Sequence, residues 1–165
     1  MIDHAASISA RTLHAIVTDV YASVTRSGPT ALVVVNGHGG NYVLSNVVQE
    51  GNAEDRRMAL FPSREDWNEA RAAAGLTSSM HEDMRAGELE TFLLLHAYLD
   101  VIRADYESAD WISDDRRHLL TKGMQTYTDS GVIGRPSLAT AEKGKALLDS
   151  LTTGFNEALS LFAKP

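Results

Sequence analysis

The sequence predicts an α/β fold, a three-layer α/β/α sandwich with a mainly parallel sheet, and three observations point there. Two short apolar runs, residues 31–35 and Met58–Phe61, alternate with segments of helical periodicity, the order expected of layered α/β domains. The first run stops abruptly at Asn36-Gly-His-Gly-Gly-Asn41, which reads as a strand-to-helix turn of the kind found at the carboxyl edge of an open sheet. The 165 residues are 44% hydrophobic, enough to bury one ordinary core, so residues 1–165 are read as a single domain.

The elements follow in order. Leu13, Ile16, Val17, Val20, Tyr21 and Val24 recur at helical spacing, with Ser9 as the N-cap and Gly28-Pro29 as the stop. Val33, Val34 and Val35 suit a strand buried on both faces. Asn41 is placed to cap a helix over residues 41–57, marked by Val43, Val47 and Val48. Met58–Phe61 is the second strand, followed by Pro62-Ser63 and a helix over 64–74 that Gly75 ends. Residues 76–86 are polar and mixed, a loop. The segment 89–99 is so dense in apolar residues that it predicts a helix buried on most sides. The pattern weakens over 103–130, which suits a loop excursion, a lid or an oligomer contact. Residues 131–136 are turn-like. A last helix runs over 140–162, with Leu147, Leu148, Leu151, Phe155, Leu159 and Phe162 along one side.

Composition narrows the function classes. A net charge of −7 argues against a general nucleic-acid or anionic-membrane binder, since both need a positive field. With no cysteine, thiolate metal sites and cysteine nucleophiles are excluded, so any metal must be held by histidine and carboxylate. Residues 1–9 lack a basic n-region and a long apolar core, and no later apolar stretch is long enough to span a bilayer. A cytoplasmic protein is expected.

The chemistry gathers in two islands. In the first, Gly37, Gly39 and Gly40 let the backbone approach a ligand closely, and His38 between them suits a metal ligand or an acid/base. The bland alternative is a tight turn whose histidine only hydrogen-bonds. A phosphate-loop reading fails because the Lys-Ser/Thr of that motif is missing. In the second, Arg85-Ala-Gly-Glu-Leu-Glu-Thr91, the carboxylates Glu88 and Glu90 sit two apart before the apolar helix. On a helix they point in roughly opposite directions, so one at most serves a given site. Acidic residues also favour a first helical turn for the helix dipole alone. His81-Glu82-Asp83 has metal-like composition but suits a solvated acidic loop better, since adjacent residues seldom converge on one ion. His4, His14, His96 and His118 have no companion at ligand spacing, and periodicity leaves Trp67 and Trp111 between core and substrate-facing roles.

Together the two islands, with Gly131-Val-Ile-Gly-Arg-Pro136 and Ala139-Thr-Ala-Glu-Lys-Gly144, resemble the creatininase family of metal-dependent amidohydrolases over nearly the whole chain. The resemblance implies a three-layer fold and a zinc or manganese site that hydrolyses a non-peptide carbon–nitrogen bond in a cyclic or small amide, with a homo-oligomeric assembly. It implies that His38 and Glu90 are metal ligands, and that Gly37, Gly39, Gly40, Asn41 and Glu88 belong to the active-site loops. An imidazole and a carboxylate suit either metal.

Two departures from the family pattern stand out. A Glu-x-His segment and an aspartate that complete the family's metal site have no counterpart after Met1, so the chain is expected to be N-terminally incomplete and weakly active or inactive alone. The second motif opens with Arg85 where the family has a histidine in an acid/base role. An arginine suits an oxyanion or a carboxylate rather than proton transfer, and His81 is the candidate replacement. Alternatives are a non-catalytic binding or assembly module that retains the fold, and a hydrolase of the same family acting on a formamide or acyclic amide.

Overall fold

The computed structural model describes residues 7–54 and 57–163, so His4 lies outside the described residues. The chain divides into two compact units, one over residues 68–150 and one over 7–67 with 151–163.

The second of these units carries the predicted sheet. Helix α1, Ala10–Arg26, starts at Ser9, whose hydroxyl accepts the Thr12 N–H at 3.1 Å, the N-cap expected from sequence. Strand β1, Leu32–Val35, helix α2, Val43–Ala53, and strand β2, Met58–Phe61, form a parallel βαβ unit in which Leu32 pairs Met58 and Val35 pairs Phe61. Because side chains alternate, Leu32, Val34, Met58 and Leu60 share one face and pack with Leu13, Val17, Leu44 and Val47 of α1 and α2. The opposite face carries Phe61, whose ring meets Phe155 edge-on at 5.3 Å between centroids. Phe155 belongs to the last turns of α6, Ala141–Ser160, so helix, sheet and helix stack as three layers.

Two expectations for this unit need correction. β1 is not buried on both faces: three residues are half-buried and Val35 is 64% exposed, because β2 is its one strand partner among the described residues. Asn41 does not cap α2. Its side-chain amide donates to the Asn36 side-chain oxygen at 3.0 Å, and Tyr42 occupies the cap position with no side-chain hydrogen bond.

Helix α3, Arg64–Ala73, begins in the sheet unit, continues into the other unit and ends as predicted at Gly75. There Gly75 N–H reaches Ala72 O and Leu76 N–H reaches Arg71 O, a Schellman closure that needs the positive φ of +65°. Helix α4, Glu88–Ala97, packs on the first turns of α6, with Phe92, Ile133 and Leu147 fully buried. α4 is not buried on most sides: only Glu88, Thr91 and Phe92 are, while Leu94, Tyr98 and Leu99 are exposed. Its apolar density exceeds what this one chain covers. Residues 103–130 form short turns and one brief helix, α5, Leu119–Lys122. Trp111 holds them down by a backbone bridge to Gly134 and an indole N–H to Tyr127 O at 2.8 Å. Among the described residues, no helix is long and apolar enough to cross a membrane.

Candidate active site

His38 sits where β1 gives way to the glycine turn. Asn36, immediately after the strand, organises that turn: its side-chain oxygen accepts both the His38 N–H at 3.2 Å and the Asn41 amide. The imidazole folds back so that Nδ1 accepts the Gly40 N–H at 3.0 Å. A Cβ on Gly40 would lie 2.8 Å from His38 Cε1, so a larger residue there would push the imidazole out of this position. Gly37 and Gly39 are open to solvent with nothing near their Cβ directions, which leaves their approach faces clear.

Beside this turn, at the carboxyl ends of both strands, lies a cleft of about 520 Å³. Asn36 and Gly39 line it from β1, Ser45 and Gln49 from α2, and Pro62, Ser63, Arg64 and Trp67 from the β2–α3 junction. This is the ligand position expected of parallel sheets. Ser63 and Asp66 fix that junction reciprocally: Ser63 N–H donates to the Asp66 carboxylate at 2.7 Å and Asp66 N–H donates to Ser63 Oγ at 3.1 Å. Trp67, ambiguous in sequence, lines the cleft. Ser45, Gln49, Ser63 and Arg64 carry no sequence signal beyond their place next to the strand ends.

The second island lies in the other unit. Arg85 is exposed, and its backbone forms an antiparallel bridge with Ile133. Ala86 adopts φ +48°, uncommon for a residue with a Cβ, and its N–H donates to the Glu90 carboxylate. Glu90 therefore faces out of α4 with one oxygen already engaged by the backbone. Glu88, which the family resemblance places among the active-site loop residues, lies in the first turn of α4 and is 1% exposed. Lys143 ion-pairs with one of its oxygens, and Ser78 donates to the other at 3.0 Å. Asp83 accepts from Arg71 at 3.2 Å and from Leu89 N–H at 3.1 Å, so the acidic triplet is partly structural rather than a solvated run. The opposite fates of Glu88 and Glu90 follow from their helical spacing, as the sequence predicts.

His81 lies in a turn, so its four-residue spacing to Arg85 does not align the two side chains. Its Nε2 lies 2.7 Å from Asp114 O and its Nδ1 3.3 Å from Arg116 Nη2, while Arg116 also donates to His81 O. With both nitrogens engaged, His81 ties the 113–116 segment to its own turn. Next to it, the Ser79 backbone N–H and hydroxyl hold the exposed Glu82 carboxyl below the usual glutamate range. His14 Nε2 lies 3.4 Å from the Glu50 carboxylate.

Among the described residues, no three His, Asp or Glu side chains come together as a metal set. An imidazole and a carboxylate fit zinc or manganese by type. Their number falls short of the three or four ligands that hold such an ion, so no chemical step is routed through a metal here.

A parallel βαβ unit with a glycine-framed histidine and a cleft at its carboxyl edge defines an α/β protein with a ligand position at that edge. The family profile of the creatininases, described as creatinine amidohydrolase, matches residues 4–159, and the chain belongs to that family, a hydrolase family. A mycofactocin precursor peptide peptidase of Mycobacterium ulcerans (strain Agy99) is 32% identical over 120 residues, which cover 70% of this chain and 42% of that protein. The chain thus spans less than half the length of this relative. A manganese creatininase superposes with a TM-score of 0.74 at 20% identity, covering 97% of this chain and 67% of that one. A mutant creatininase of Zn-Zn type gives 0.72 at 20% identity, covering 99% and 68%. These likenesses show the creatininase fold.

Proposed function

We propose that this chain carries residues of the active site of a metal-dependent amidohydrolase, with His38 and Glu90 as ligand candidates for zinc or manganese that do not by themselves make a full ligand set. The observation that carries the reading is His38, held by Asn36 and Gly40 at the carboxyl edge of the parallel strands beside an open cleft. The solved creatininases described with manganese and zinc support the choice of metal. The substrate is a cyclic or small amide whose carbon–nitrogen bond is hydrolysed. Arg85, exposed on a backbone pinned by Ile133, offers a fixed positive charge to a developing oxyanion or a carboxylate, and does not replace an acid/base histidine. The assembly is a homo-oligomer.

The test is calorimetric titration of zinc and manganese into the purified chain, with His38→Ala and Glu90→Gln variants and a creatinine-turnover assay in parallel. The expected result is weak binding, lost in either variant, without turnover. Tight stoichiometric binding with turnover overturns the incomplete ligand set. Binding indifferent to both variants overturns the ligand assignment.

A second reading, a peptide amide as substrate, is favoured by the similarity to a peptidase. Hydrolysis of short peptides in preference to cyclic amides, by an assembly that contains this chain, would select it.

A further inference from the structure

The cleft beside the His38 turn is unevenly charged. The chain has 22 acidic against 15 basic residues, yet no acid lines this cleft and Arg64 is its one charged group among the described residues. Two acids follow Arg64 in the same helical turn: Asp66 accepts the Ser63 N–H at 2.7 Å, and neither Asp66 nor Glu65 forms an ion pair with the guanidinium among the described residues. Among the described residues, no ion pair or hydrogen bond engages the Arg64 guanidinium.

The other polar groups of the cleft sort by what they have left to offer. Asn36 spends its carbonyl oxygen on the His38 and Asn41 donors. Ser63 spends its hydroxyl oxygen on Asp66 N–H. Gln49 and Ser45 have no side-chain hydrogen-bond partner among the described residues. The groups that remain can all donate: a five-donor guanidinium, a side-chain amide and a hydroxyl. Leu60, Val48 and Trp67 supply apolar wall around them. A volume of about 520 Å³ suits a small organic molecule rather than a bare ion.

We propose that this cleft is a carboxylate-binding subsite in which Arg64 is the specificity-determining residue, so that the substrate is an amide carrying a free carboxylate. The assignment to a substrate rests on the amidohydrolase reading; the subsite itself does not. A carboxylate pairs with a guanidinium through two parallel N–H···O bonds, which fix orientation as well as charge. Gln49 and Ser45 complete the oxygen's partners, and the apolar wall takes the organic body. The carboxylate is either that of an N-acylated amino acid or the C-terminus of a short peptide, and the chemistry of recognition is the same for both.

The experiment is ¹⁵N NMR of the whole chain, following the Trp67 indole N–H and the Gln49 side-chain amide. The probes are N-benzoylglycine and its uncharged amide, then a dipeptide with a free C-terminus and its C-terminal amide. Both resonances are expected to move with each acid, and each neutral amide is expected to bind at least about tenfold more weakly, the scale of one lost charge-assisted pair. Arg64→Gln is expected to erase the preference and Arg64→Lys to keep part of it, in variants that retain the Phe61 and Phe155 ring resonances of the folded unit. The ratio between the acylated amino acid and the dipeptide tells which source fits better. Equal binding of acid and amide, no movement with any probe at millimolar concentration, or a preference that survives Arg64→Gln overturns the proposal. The readout needs neither metal nor turnover, so it fails or stands separately from the hydrolase reading: neutral amides hydrolysed without acid preference would sink this proposal alone.

Discussion

The Nδ1 atom of His38 accepts the backbone N–H of Gly40 at 3.0 Å, two residues further along the same turn. In a neutral imidazole this places the proton on Nε2 and engages the Nδ1 lone pair with the Gly40 N–H. A metal held through Nε2 would need the proton on Nδ1, facing the Gly40 N–H, and the Gly40 peptide would then have to turn away. Zinc titration followed by ¹⁵N NMR is expected to move the Gly40 amide and the His38 ring nitrogens together. A Gly40 amide that stays still while the ring nitrogens shift would contradict this coupling. Gly40→Ala is expected to break the hydrogen bond without metal, because its Cβ would crowd Cε1. The stability cost is about 1 kcal/mol or less, since the bond is exposed.

The Glu88 and Lys143 pair predicts an asymmetry between its two halves. Glu88 is 1% exposed on its side chain, whereas Lys143 retains 28% and can reach water. Lys143→Met leaves a buried carboxylate with only Ser78 as partner and is expected to cost about 3 kcal/mol. Glu88→Gln keeps a hydrogen-bonding group for Ser78 and is expected to cost less than half as much. Urea unfolding midpoints of the two variants compare them directly, and equal losses would count against the argument.

Gly144 sets propensity against packing. Alanine gains about 1 kcal/mol over glycine within a helix. Here its Cβ would press on Phe92 O and stand 2.7 Å from His96 Cβ, at the crossing of α6 and α4. Backbone on one side gives little room to relax, and overpacking costs about 1–3 kcal/mol. The packing term wins: Gly144→Ala is expected to lower the melting temperature by about 2–4 °C or more. A rise would show that the two helices separate freely.

Glu82 predicts a pH dependence of known sign. Its folded carboxyl is held below the ordinary glutamate range, chiefly by the Ser79 backbone N–H. The folded state therefore gains from its ionisation above the unfolded value, and that gain is lost as pH falls through the lower folded value. Melting curves of the parent chain and Glu82→Gln are expected to differ at neutral pH and to converge at acid pH. A constant difference across that window would assign the effect of the substitution to something other than charge.

The sequence located whatever depends on neighbours along the chain. The Ser9 cap, β1 and β2 and the Gly75 stop rest on periodicity and local hydrogen bonds, which short stretches of residues encode. The glycine frame of His38 is local in the same sense, and the spacing of Glu88 and Glu90 already separated them onto different faces. Asn41 misled because the same side chain that caps helices also bonds within turns, and Asn36, five residues earlier, competed successfully for it. The density of α4 misled because apolar content measures what a helix can bury, whereas burial depends on what is there to cover it.

Tertiary structure decided what depends on distant partners. Only folding brings Lys143 to Glu88, 55 residues earlier, and gives that buried carboxylate its ion-pair partner. Arg116 reaches back 35 residues to take up His81. The cleft arises because parallel pairing sets the residues after β1 beside those after β2, and so joins Gly39 to Arg64 and Trp67. Periodicity fixes which way a side chain points relative to its own helix or strand. It carries no information about which donor, charge or wall the rest of the chain will set opposite it, and the chemistry of a site depends on that pairing.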